Sequence, residues 1–139
     1  MQQFTIPGRL EGMNSLVNAN RKNKYAGAEL KKTSTALCTW YAWAGGMQRV
    51  ERYPVTFLIE WVEQNGRRDP DNIASAKKYI FDGLIKAGVL ENDGPKQIEM
   101  LIDTFRIDSR NPRIIVSIFE SGEPIEVNGK IVSFKPKGE

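Results

Sequence analysis

Residues 53–63 read YPVTFLIEWVE. Successive side chains of an extended chain point to opposite sides, so Val55, Phe57, Ile59 and Trp61 line one face and Thr56, Leu58, Glu60 and Val62 the other. This is the clearest strand in the sequence, and the elements around it can be placed from it. Asn65-Gly66 turns the chain directly afterwards. Asp69-Pro70 then supplies a helix start, with aspartate as N-cap and proline at the first helical position, where its missing N–H costs nothing. Ile73, Ala76, Ile80, Leu84 and Ala87 recur at helical spacing as an apolar stripe. Gly88 is placed for a left-handed C-cap, with Val89 and Leu90 packing back.

Upstream, FTIPGRL opens as a short strand broken at Pro7-Gly8. NANRKNKYAGAELKK follows as a polar stretch carrying Arg21, Lys22, Lys24, Lys31 and Lys32. From about Ala28 the pattern is helical. Leu30, Leu37, Trp40 or Tyr41, and Ala44 recur as an apolar stripe that reads as core, and Gly45-Gly46 ends the run. Downstream, QIEMLIDTF reads as a strand, with a helix as the alternative, Asn111-Pro112 as a turn, and RIIVSIF, apolar on both faces, as a central strand. IEVNGKIVSF is a hairpin signal turning at Asn128-Gly129, and the tail KPKGE reads as frayed. The order predicts a mixed α/β (α+β) fold. It is a single domain over residues 1–139, with two main helices packed on a mixed sheet and a C-terminal β-hairpin.

Composition narrows the chemistry. The 139 residues suit one core. No apolar run approaches the ~20 residues of a membrane span, and MQQFTIPGR is no secretory signal. Cys38 is alone, which precludes an intrachain disulfide, fits a reducing compartment and reads as a small buried hydrophobe. Histidine is absent. Ser-His and Cys-His nucleophiles and imidazole-built zinc sites are thereby excluded. A metal held by carboxylates alone would be hard, such as magnesium or manganese. Residues 1–53 hold eight Lys/Arg and three Asp/Glu, leaving +5; residues 54–139 hold twelve and fourteen, leaving −2. A basic first part beside an acid-dotted second part suits a polyanion partner met by one region and chemistry in the other, or is scatter.

The acids have two readings. At about 100° per residue, Asp71, Lys78 and Asp82 share the helix face opposite the apolar stripe. Asp69 sits at the cap, and Glu91 and Asp93 lie just past the far end. If the loop after Gly88 folds back, they approach the DPD turn. In one reading this is a capped helix with a solvated face and an ordinary i,i+4 pair. In the other, Asp69 and Asp71 stand at the mouth of a strand, where sites gather. Arg67 and Arg68 beside them then suit an approaching phosphate. DPDN lacks the later ligands and internal glycine of an EF-hand loop.

The stretch RRDPDNIASAKKYIFDGLIKAGVLENDG, residues 67–94, resembles the signature of the RusA family of Holliday junction resolvases. The likeness lies in the D-x-D-N turn, the lysine-bearing helix with D-x-L late in it, AGVL, and an acid just after. It extends loosely to PGRLEGMNSLVNANRKNKYAGAELKK, which is similar to the basic N-terminal segment of phage members. The resemblance implies a homodimer that binds four-way junctions in the host cytoplasm. It implies paired nicks made by water attack with Mg²⁺ (Mn²⁺ as substitute), leaving 5′-phosphates. By position, Asp69, Asp71 and Asp93 would be catalytic, metal-binding carboxylates. Lys78 would be the assisting lysine, with Lys77 as the alternative. Ser75 occupies the place of an earlier lysine, and Asn92-Asp93 stands where some members have two aspartates. Arg21, Lys22, Lys24, Lys31, Lys32, Arg67, Arg68 and Lys77 would contact DNA.

Overall fold

A computed structural model describes residues 1–133 of the chain; the tail read as frayed lies outside them. The sheet has four strands in the order β1 (Gln2–Pro7), β4 (Arg113–Phe119), β2 (Val55–Glu63), β3 (Ile98–Ile107). β2 and β4 are the central pair, antiparallel to each other with Ile59 opposite Val116. β3 runs parallel to β2 along its other side, and β1 pairs antiparallel with β4. The mixed sheet predicted from the strand order is thus present. The hairpin β5 (Ile125–Val127) and β6 (Lys130–Ser133) forms a separate two-stranded sheet. Its turn residues Asn128 and Gly129 take φ of 52° and 78°, the pair of positive angles that a tight hairpin demands.

Four helical segments pack with the sheet: α1 (Met13–Lys22), α2 (Lys24–Ala44), α3 (Pro70–Ala74) and α4 (Lys77–Lys86). The face of β2 bearing Phe57, Ile59 and Trp61 meets Ile73, Ala76, Ile80 and Leu84 in the main core. The predicted stripe is therefore the buried one, although the chain splits it between two helices at Ser75-Ala76. Phe57 and Phe81 meet edge-on at 5.0 Å. Burying such rings contributes roughly 1.5–3 kcal/mol each. Gly88 follows α4 at φ 78°, the expected cap.

Two expectations are corrected. The polar stretch before Ala28 is helical: α1 occupies Met13–Lys22, and α2 starts at Lys24 with Asn23 as its N-cap, accepting from the Ala26 N–H at 2.8 Å. The stripe assigned to α2 is also out of phase except at Tyr41, which is half-buried against the core. The buried residues of α2 are Gly27, Ser34, Thr35, Cys38, Thr39 and Ala42. Trp40 and Trp43 lie outside, 59% and 57% exposed. The cause is the approach of α4. A Cβ on Gly83 would stand 2.5 Å from the Cβ of Cys38, and the Gly83 carbonyl accepts from Thr39 Oγ1 at 2.9 Å. Helices that close admit small residues between them, not indoles.

Candidate functional site

The chain leaves β2 at Glu63 and reaches α3 at Pro70. Between them Arg68 fixes the path. Its guanidinium donates to both Glu63 carboxylate oxygens at 2.9 Å and to the Leu10 carbonyl at 2.9 Å. The two side chains are 12% and 8% exposed. A bidentate pair of this kind is geometrically demanding, and it holds the loop so that Asp69 emerges beside the end of the central strand. Arg68, expected to contact DNA, is thus committed to the protein's own frame. Arg67 next to it is exposed.

Asp69 has extended backbone angles at the N-cap of α3, and its carbonyl accepts from Ile73 N–H at 3.0 Å. Its side chain makes no capping bond. Asp71 lies in the first turn, where the helix dipole favours a carboxylate. Both acids are exposed, and among the described residues neither carboxylate has a hydrogen-bond or ion-pair partner in the protein. Two of the next residues have a different task. Asn72 Oδ1 accepts from Asn14 N–H at 3.0 Å, and Ser75 Oγ accepts from Met13 N–H at 2.8 Å. These are first-turn donors of α1, whose own N-cap, Gly12, has no side chain to offer. A Cβ at Gly12 would stand 2.3 Å from the Asn72 carbonyl oxygen, so only glycine allows this approach. The acidic turn and the basic segment are therefore joined directly.

The start of α4 supplies two lysines pointing to different acids. Lys77 Nζ donates to Asp103 Oδ2 on β3, and Trp61 Nε1 donates to the other oxygen at 2.8 Å. Lys78 Nζ donates to Asp93 Oδ2 at 2.7 Å and lies 3.3 Å from Asp82 Oδ1. The bond to Asp93 raises the Lys78 pKa, with burial opposing and Asp82 adding to the rise. The loop after Gly88 thus returns to the first turn of α4, where Asp93 meets Lys78, whereas the metal reading asks it to reach the DPD turn. Glu91 is exposed, its N–H donating to the Tyr53 hydroxyl.

Among the described residues, no group of three acidic or thiol side chains lies close enough together to hold a metal ion. Asp69 and Asp71 present free oxygens, while Asp93 is held by Lys78. Arg21 and Lys22 close α1; Lys24, Lys31 and Lys32 stand on α2, all exposed. Lys24 lies over the Tyr25 ring at 5.3 Å. Sequence reasoning missed Asp103, Asn72 and Ser75. Asp103 left one signal: an acid inside an otherwise apolar strand, which must find a partner. Among the described residues, no helix is long and apolar enough to cross a membrane. No protein-family model matches the chain. No curated protein matches it either.

Proposed function

We propose that the protein is a Mg²⁺-dependent, structure-selective endodeoxyribonuclease that resolves four-way DNA junctions by paired nicks. One observation carries the reading. Two unpartnered carboxylates, Asp69 and Asp71, stand at the end of the central strand, on the turn that also anchors the basic α1–α2 segment through Asn72 and Ser75. The D-x-D-N turn, the helix lysines and the later acid of the RusA-like signature support it.

The donor set fits magnesium. All the available ligands are hard oxygens, and this ion usually takes one or two protein carboxylates, several waters and the substrate's own phosphate. Asp69 and Asp71 would hold it; the RusA-like signature adds Asp93, which pairs with Lys78 in the structure. When bound, the ion supplies the Lewis acidity that a phosphodiester and its attacking water need. The chain's own residues do the rest. Lys78 remains charged at neutral pH and would stabilise a leaving oxygen. Arg21, Lys22, Lys24, Lys31, Lys32 and Arg67 position the backbone without reading sequence. Lys77 is turned toward Asp103, which makes Lys78 the assisting lysine of choice.

A homodimer belongs to the same reading, since a junction offers two equivalent strands to two symmetry-related sites. Among the described residues β3 is an edge strand of the sheet, with Leu101, Phe105 and Ile107 exposed, and such an edge suits a partner strand.

A second reading, branched-DNA binding without cutting, draws on the absence of a three-acid group among the described residues and on the neutralisation of Asp93 by Lys78. A labelled four-way junction incubated with protein, with and without Mg²⁺, separates the two. Paired nicks in Mg²⁺ that vanish in Asp71→Asn, with junction binding kept, support the nuclease. Binding without products supports the second reading.

A further inference from the structure

A groove of about 260 Å³ opens where α1, α2 and the α3–α4 junction meet. Met13 and Leu16 of α1 and Tyr79 of α4 form its apolar lining, and Lys31, Thr35, Ser75, Lys78 and Asp82 its polar rim. We propose that this groove receives one unpaired nucleotide of a branched DNA, its base against Met13, Leu16 and Tyr79 and its phosphate toward Lys31. The inference rests on the branched-DNA reading above and adds what the protein recognises at the branch.

The size of the groove limits the occupant to something small. At this volume it lies just below the range of drug-sized pockets, roughly 300–1,000 Å³, so it suits a single base and sugar rather than a duplex. Tyr79 belongs to the core, but the two α1 side chains of the lining do not. No residue of α1 is buried, so Met13 and Leu16 are not kept for the core. Of the charges that line it, Asp82 is paired with Lys78, which leaves Lys31 without a counter-charge among the described residues. From Arg21 to Lys32 five cations stand against a single acid, Glu29. Among the described residues, no ion pair involves any of the five. Lys78 is held by Asp93 and Asp82. Lys31 is therefore the rim cation available to a phosphate. The groove is also close to the proposed chemistry, since Ser75 on its rim accepts its N–H bond from Met13 and lies four residues beyond Asp71.

A base inside a duplex must be unpaired and unstacked before it can enter such a groove, and this costs least where the base is already unpaired. Selection for branched DNA then follows from which base is available, with no sequence-reading contact required.

The test is equilibrium binding in metal-free buffer, where cutting plays no part. Three probes are compared: a fully paired duplex, the same duplex with one extrahelical nucleotide, and that bulge made abasic. The base-bearing bulge is expected to bind about ten-fold tighter than the abasic one, the scale of one base stacking on a side chain. The double variant Met13→Gln, Leu16→Gln is expected to lose that preference while keeping its melting temperature and its affinity for paired duplex. Lys31→Gln is expected to reduce the log–log salt slope by about one. Equal affinity for base-bearing and abasic bulges overturns the groove assignment and leaves the nuclease reading to the junction assay. A preference that survives in the double variant overturns it too. Failure to bind any of the three probes overturns both readings.

Discussion

The side-chain carbonyl of Asn72 accepts the backbone N–H of Asn14 at 3.0 Å, across 58 residues of chain. The first turn of α1 is thus capped by the turn that carries Asp69 and Asp71. A helix of ten residues with nothing buried has little reason to persist by itself. Its position, and that of the cations at its end, depends on this cap and on that from Ser75.

Replacing Asn72 tests the dependence. Asn72→Ala is expected to destabilise the protein by about 1 kcal/mol, the usual cost of a lost N-cap. Amide exchange at Met13 and Asn14 should accelerate well beyond that at β2. Junction affinity should fall as the cations at the end of α1 lose their fixed place. Unchanged protection at both amides would mean the cap contributes nothing.

The two adjacent arginines should behave oppositely. Arg68 is tied to Glu63 and the Leu10 carbonyl out of solvent. Removing one member of a buried pair leaves the other charge uncompensated, so Arg68→Ala should cost about 3–5 kcal/mol in urea unfolding. Arg67→Ala should leave unfolding unchanged and lower the salt slope of DNA binding by about one. An Arg68→Ala protein as stable as wild type would remove the frame assigned to this pair.

The contrast shows what local sequence can convey. β2 and the α3–α4 stripe were legible because alternation and helical spacing are properties of neighbouring residues, and the core uses both. The charges at 67 and 68 look alike in sequence, and only the fold assigns one to Glu63. α1 was illegible for a related reason: NSLVNANRK carries few apolar residues, and its caps come from Asn72 and Ser75 on another element. In α2 the misleading feature was size. Trp40 reads as core by hydrophobicity, but the seam with α4 is narrow at Gly83 and takes Cys38 and Ala42 instead. The fold-back of the loop after Gly88 was an open possibility in the sequence, but its meeting of Asp93 with Lys78 was not foreseen. The Lys77–Asp103–Trp61 group could not be foreseen, because parallel pairing sets Asp103 opposite Ile59.

Cys38 offers a probe of that same seam. Its thiol is fully buried, and burial pushes its pKa up to about 12 from an ordinary 9.0. Iodoacetamide at pH 8 should therefore leave the native protein unlabelled and react once urea opens it. The pH dependence has a definite sign. Below 9.0 both states keep the proton and stability is unaffected. Between 9.0 and about 12 the unfolded chain loses it first, so stability falls as pH rises. Cys38→Ala should flatten that part of the profile. Rapid labelling of the native protein at pH 8 would contradict close packing of α2 on α4.

The two lysines of α4 separate structure from chemistry. Lys77 is three-quarters or more covered and shares Asp103 with Trp61, so Lys77→Met strips a partly buried carboxylate of its counter-charge. A loss of about 1–3 kcal/mol is expected. Lys78 is 64% exposed, so its pairs with Asp93 and Asp82 are screened by water on the lysine side, and such contacts contribute at most about 1 kcal/mol. Lys78→Gln should therefore leave the melting curve nearly unchanged. If Lys78 stabilises the leaving oxygen, the same variant should cut a four-way junction about 10²–10³-fold more slowly in Mg²⁺, with binding retained. Its rate should not recover at higher protein concentration, since the defect is not in affinity. Wild-type cutting by Lys78→Gln would move the assisting role to Lys77. The Asp93–Lys78 contact would then be a surface ion pair that the ion must displace, and Lys78→Gln should bind Mg²⁺ more tightly than wild type.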